Sequence, residues 1–228
     1  MLGYDWRQWT RILTIIGTVQ YVLLTILAMF FYPGGTAGNH NTAGYSFTEN
    51  FFSDLGRTLA LNGDVNTISM SLFTFALSVS SFLFIPYLIT LPGVFTKRDA
   101  KIICYISSII GIFTAICFAG IAFLPWDLYY FEHLGLVGLA FLFIVPEALL
   151  LTIAMFIEKR IPRLYAVVFV VFTIILLAYF MIYSSMAEDL VLQAVAQKIV
   201  VYSINISFAI QAYGVFRISQ RQTPQTTA

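Results

Sequence analysis

Leu134–Ile157 reads Leu-Gly-Leu-Val-Gly-Leu-Ala-Phe-Leu-Phe-Ile-Val-Pro-Glu-Ala-Leu-Leu-Leu-Thr-Ile-Ala-Met-Phe-Ile, and Glu147 is its one ionisable side chain. As a helix at 1.5 Å per residue the run is about 36 Å long, enough to cross a hydrocarbon core about 30 Å thick. Five further runs of this kind flank it, at about Ile12–Tyr32, Ile68–Phe95, Ile102–Trp126, Leu164–Met186 and Ile199–Phe216. The connectors Thr96–Lys101 and Glu158–Arg163 are so short that the helices they join must be antiparallel. The expected fold is therefore all-α and integral to a membrane: a six-transmembrane-helix bundle forming one domain over residues 1–228.

Composition supports this class. Hydrophobic residues make up 60% of the 228, charged residues only 10%, and the mean hydropathy is +0.88. A soluble domain could not cover its surface with so few charges. A net charge of +1 leaves no basic face for nucleic acid. Cys104 and Cys117 share the third span roughly 20 Å apart, too far for a disulfide with each other. The first span is too long for a signal-peptide core, and it follows an interfacial anchor with Trp6, Arg7, Trp9 and Arg11, so it is expected to be retained.

Basic residues distinguish the two sides. Arg7, Arg11, Lys97, Arg98, Lys101, Lys159, Arg160, Arg163, Arg217 and Arg221 fall on one side, and of the 12 only Arg57 and Lys198 fall on the other. The positive-inside rule then puts both termini in the cytoplasm of a cell-membrane protein. The acids lean the opposite way. Glu49, Asp54, Asp64, Asp127, Glu132, Glu188 and Asp189 face outward, against Asp5, Asp99 and Glu158 inside. For packing, the stripe Ser107, Gly111, Ala115 and Ala119 predicts that the third span lies in the middle of the bundle. The fifth, rich in Val, Ile, Leu and Phe, is expected at the lipid-facing edge.

The long polar interval is Pro33–Asn66, centred on Asn50–Arg57 (Asn-Phe-Phe-Ser-Asp-Leu-Gly-Arg). Ser46 with Glu49 has capping-box spacing, and Phe47, Phe51, Leu55 and Leu59 recur every four residues. These predict a short amphipathic helix on the membrane surface, stopped at Asn62-Gly63. Ser53, Asp54 and Arg57 in this loop, with Asp127, Glu132 and His133 between the third and fourth spans, make a candidate outer site. A carboxylate-rich patch with a histidine suits a metal or general acid–base chemistry. Its bland counterpart is a latch pinning the loop to that turn through Asp54 or Arg57, whose i, i+3 spacing also suits a pair with each other. With two histidines and no HExxH, a three-histidine zinc hydrolase is excluded. No cofactor and no metal site is expected. Trp126, Tyr129, Tyr130 and Phe131 read as an interfacial aromatic belt.

Glu147 stands near the bilayer midplane, where an unpaired charge costs roughly 3 kcal/mol. It must face the bundle, be protonated, or both. One reading is a proton or cation site. The other is a protonated acid hydrogen-bonded to a neighbouring helix, with Asn205 or Gln20 as partners at matching depth.

Six helices, a long first outer loop with Ser53-Asp54-Leu55-Gly56, then Pro125-Trp126-Asp127 and His133, resemble the prokaryotic membrane family called domain of unknown function 998. The Ser-Asp-Leu-Gly element is also similar to the Ser-Asp-Thr-Gly of FRAG/DRAM-type six-helix proteins. The resemblance implies that Ser53, Asp54, Gly56, Asp127 and His133 share one extracytoplasmic site; it implies no reaction. The leading expectation is a non-enzymatic protein that binds or passes a small ligand, ion or lipid head group. The alternatives are a lipid-modifying enzyme using Asp54, Asp127 and His133, and a structural subunit docking through the small-residue stripe. Membrane lipids are the partners that all three share.

Overall fold

The first helix, α1 (Trp6–Phe30), buries Thr10, Thr14, Thr18, Tyr21 and Thr25 and turns Ile16, Val19, Leu23 and Phe30 outward. Lipid is as apolar as leucine, so small and polar residues, which pack closely and hydrogen-bond, belong inside such a bundle. Thr14 and Thr25 donate to the Thr10 and Tyr21 carbonyls at 3.0 and 2.8 Å, and Thr18 crosses to the Asn205 carbonyl at 3.1 Å. This computed structural model describes residues 6–185 and 189–222, apart from the side chains of 184, 221 and 222. Asp5, Met186 and Glu188 lie outside them, as does the Arg221 side chain.

A four-residue helix, α2 (Phe52–Leu55), lies in the long loop. Then follow α3 (Thr67–Thr90), extended by a 3-10 turn at Leu91–Val94, α4 (Arg98–Phe123), α5 (Tyr130–Ile157), α6 (Arg163–Ser184) and α7 (Leu190–Gln222). All except α2 are long and apolar enough to cross a membrane, so the chain is an all-α, six-span membrane bundle. Boundaries match expectation to within six residues, with one exception. The last helix starts at Leu190 instead of Ile199, which puts Lys198 well inside it. The third span stops at Phe123 because Leu124 precedes Pro125 and leaves the helical region (φ −116°, ψ 84°).

Neighbours in sequence are neighbours in space. α1 packs on α3, α3 on α4, α4 on α5, α5 on α6 and α6 on α7, and α7 returns to α1. The third span is therefore one member of a closed ring, not its middle. Its small stripe faces inward, toward α5, Leu88 of α3 and the central cavity. Ser107 donates to the Glu147 carbonyl at 2.9 Å, and a Cβ on Gly111 would collide with the Glu147 carboxyl. The stripe lets α4 and α5 approach closely, and its four residues are buried inside the bundle. As expected, α6 is with α1 the least buried span. At the end bearing the termini, Gln220 reaches Gln8 at 3.1 Å and Glu158 clamps Thr96 and Lys97.

Of the predicted surface helix only the four residues of α2 form. Ser46 is no cap: its N–H goes to Asn50 Oδ1 at 2.9 Å, and residues 47–49 form a turn. Asn50 and Asp54 offer their side chains to loop backbone, which competes with helix for the same N–H groups. Phe52 and Leu55 instead plug the end of the bundle as fully buried anchors. Gly56 follows because a Cβ there would come 2.8 Å from the Phe73 ring.

Candidate functional site

Asn50 is the hub of the loop. Its amide donates to the Gly35 carbonyl at 2.9 Å and to Asp54 Oδ2 at 3.2 Å, and its own carbonyl accepts from Lys198 Nζ and the Tyr45 hydroxyl. Lys198 is fully buried; its ammonium also donates to the Ala194 carbonyl at 3.0 Å and lies 5.3–5.9 Å from the Phe47, Tyr45 and Phe52 ring centres. An ammonium taken from water needs such carbonyls, ring faces and a counter-charge. Asp54 supplies the charge from the far side of Asn50. Asp54 Oδ2 also accepts the Phe51 N–H at 2.8 Å. Its Oδ1 is turned toward the Trp126 indole, and neither that atom nor the indole N–H has a hydrogen bond of ordinary geometry. Burial pushes the Asp54 carboxyl above its usual pKa, against the Phe51 N–H, the Asn50 amide and the nearby Arg57 charge, which favour the anion.

Asp127 joins the loop to the α4–α5 turn. Its Oδ2 accepts the Thr58 hydroxyl at 2.6 Å, the Thr58 N–H at 3.0 Å and the Leu59 N–H at 3.2 Å. Partial burial works to raise its pKa, but these donors outweigh it and hold the carboxyl below its ordinary value. Arg57 does not pair with Asp54. Its Nε donates to the Leu59 carbonyl at 2.8 Å, and its guanidinium lies 4.5 Å from the Trp126 ring centre. The loop thus meets the turn as expected, through Thr58, Leu59 and Arg57 on Asp127 and Trp126. Glu132 is exposed and takes no part. Trp126 is a structural partner here, while Tyr129, Tyr130 and Phe131 form the exposed belt.

His133 is 4% exposed, and its Nδ1 is 2.6 Å from the Leu124 carbonyl, which orients the ring. It borders a cavity of about 230 Å³ at the loop end, between α5, α6 and α7 and beneath α2. The cavity walls are mainly aromatic and aliphatic, with Trp126, Tyr130, Tyr179 and Tyr183 prominent. Ser53, His133, Gln193 and Gln197 supply its polar groups. Gln197 is also fixed from the loop, since its Oε1 accepts the Phe52 N–H at 2.8 Å.

Deeper, Glu147 and Asn205 line a second cavity of about 50 Å³ at the centre of the ring. They share it without a direct hydrogen bond, because Asn205 is committed to Ser80 and to the Val201 carbonyl, each at 3.1 Å. Gln20 does not reach it: its amide donates to the Ala76 carbonyl at 2.9 Å. Rings of Phe84, Phe208, Phe169 and Phe172 stack edge to face on the side toward the termini.

Comparison with family models, curated proteins and solved structures gives no match for this chain.

Of the residues singled out in the sequence, Ser53 and His133 share the outer cavity. Asp54, Arg57 and Asp127 are staples of the loop above it. Asn50, Thr58, Lys198, Gln193 and Gln197 escaped the sequence reading. The spacing of Gln193 and Gln197, one helical turn apart with Lys198 next, was the available signal for a polar face on an extended last helix.

Proposed function

We propose that this is a cell-membrane protein that binds a small amphiphile at its loop end, which faces outside while both termini lie in the cytoplasm. The observation carrying this is the cavity of about 230 Å³ between α5, α6 and α7. Apolar walls with a few converging polar groups are the usual form of a ligand site. The volume is below the roughly 300–1,000 Å³ of pockets for drug-sized ligands, so it suits a head group or the end of a chain. Binding is favoured over passage because the central cavity holds only about 50 Å³ and has the stacked rings of Phe84 and Phe208 in its wall. The orientation rests on the basic residues, and its two exceptions are both spoken for: Lys198 is buried and Arg57 is stacked on Trp126. A kinship with domain of unknown function 998 would fit a shared site around Ser53 and His133. The enzyme reading has less support, since Asp54, Asp127 and His133 each serve a different backbone partner.

Photo-crosslinking tests the binding. The protein is reconstituted with a diazirine-bearing phospholipid, and adducts are mapped by mass spectrometry. Adducts are expected on Tyr179 and Tyr183 and should fall several-fold in Val137→Trp, which fills the cavity. Adducts on lipid-facing Ile174 serve as the control. Equal labelling of Tyr179 and Tyr183 in the variant would refute the site.

A further inference from the structure

The central cavity is bordered by α1, α3, α4, α5 and α7, and Glu147, 2% exposed, is the one acidic side chain in its wall. The polar groups around it direct their protons elsewhere. Ser80 donates to Asn205 Oδ1 at 3.1 Å, Ser81 to the Leu77 carbonyl at 2.7 Å, and the Asn205 amide to the Val201 carbonyl at 3.1 Å. Thr114 donates to the Ile110 carbonyl at 3.1 Å and stands in the same cavity wall as the Glu147 carboxyl. What these groups chiefly present to the cavity is oxygen lone pairs. The Tyr21 hydroxyl is the remaining polar group and, with Glu147, the only titratable one in the wall.

A carboxyl inside a bilayer among acceptors is stabilised by a positive occupant. One carboxylate is neutralised by a single positive charge, whereas a divalent ion would leave an excess charge buried. All-oxygen ligands suit a hard cation. A water needs about 10–15 Å³ of such space, so the cavity's 50 Å³ admits a small ion with one or two waters. Gly111 contributes by omission, because any Cβ there would displace the carboxyl.

We propose that Glu147, with Asn205, Ser80, Ser81 and Thr114, forms a binding site for a sodium ion. Access is from the loop end. A small void of about 40 Å³ shares Tyr21, Leu77, Phe118 and Val201 with the central cavity, and Ser53, His133 and Gln197 with the outer one. On this proposal the ion enters and leaves on the side of the outer cavity, past the residues that the voids share. This inference does not depend on the amphiphile reading and can fail separately from it.

The test is thermal melting of the purified full-length protein in detergent, with NaCl replacing N-methylglucamine chloride at constant ionic strength. Sodium should raise the melting temperature saturably, with a higher half-saturating concentration at pH 6 than at pH 8. The proton and the ion compete for the same carboxylate, while a tyrosine hydroxyl, ordinarily near pKa 10, stays protonated. Glu147→Gln should abolish the sodium response. Thr114→Val keeps the carboxyl and should raise half-saturation about tenfold. Stability that ignores sodium, or follows pH alone, overturns the proposal, as does a sodium response that survives in Glu147→Gln. If Glu147→Gln fails to fold, an unchanged half-saturation in Thr114→Val overturns it instead.

Discussion

Replacing Asp127 by alanine removes the acceptor for the Thr58 hydroxyl, the Thr58 N–H and the Leu59 N–H together. Hydrogen bonds to a charged group are worth about 1.5–3 kcal/mol each when buried. Here the carboxylate is only partly buried and the freed Leu59 N–H can reach water, so the total is nearer 2 kcal/mol. The three bonds converge on Oδ2, while Oδ1 receives only the longer branch of the Thr58 N–H, at 3.2 Å. An asparagine with its oxygen in the Oδ2 position can keep all three and loses mainly the charge, so Asp127→Asn should cost only about 1 kcal/mol. The loss falls on loop closure, not global folding, and hydrogen exchange reads it. The Thr58 and Leu59 amides should exchange about thirtyfold faster in Asp127→Ala and about fivefold faster in Asp127→Asn. The pH dependence has a definite sign. The carboxyl is held below its ordinary pKa in the folded protein, so its contribution is fully present above the unfolded value of about 3.9. It is lost as pH falls through the lower, folded value. The protection of wild type over Asp127→Asn should thus be constant from neutral pH to about 5 and disappear in stronger acid. Wild-type exchange at Thr58 and Leu59 in Asp127→Ala would refute the latch.

Two further outcomes follow from the same end of the molecule. Lys198→Met keeps the apolar stem but leaves the buried Asp54 with only the Arg57 charge nearby, and should cost about 3 kcal/mol in unfolding measurements. Adding Asp54→Asn should recover part of that loss, and strict additivity of the two would argue against their coupling. The orientation predicts that an impermeant thiol reagent labels Thr42→Cys in intact cells and spares Lys159→Cys. The background should be low, since Cys104 and Cys117 are buried, and the opposite labelling pattern would reverse the topology.

The candidate site was partly legible. Asp127, His133 and the Asn50–Arg57 stretch stood out because charged and polar residues are conspicuous in so apolar a chain. The role of Asn50 as the hub of that stretch, and Lys198 altogether, did not, although they hold the loop on the bundle. Lys198 broke the hydropathy run and so looked like a loop residue at the mouth of the last helix. Its burial depends on Phe47, Phe52 and the Asn50 carbonyl arriving from a loop about 150 residues away in sequence. The amphipathic spacing of Phe47, Phe51, Leu55 and Leu59 misled for a related reason. Asn50 and Asp54 bond to the loop backbone, and the helix those spacings implied gives way to a plug.

By itself the sequence determined that the chain is a six-span helical membrane protein, because hydropathy and length are sums over consecutive residues and need no partner. It also determined that Glu147 lies deep in a span and that the basic residues crowd one side. Tertiary structure alone decided that the spans close into a ring, that the small stripe of α4 faces inward, and that Glu147 opens onto a cavity with Asn205 but not Gln20. Depth along a helix can be counted from its ends, but the direction a side chain faces depends on how each helix is rotated against its neighbours. That rotation is fixed by packing between residues far apart in the chain.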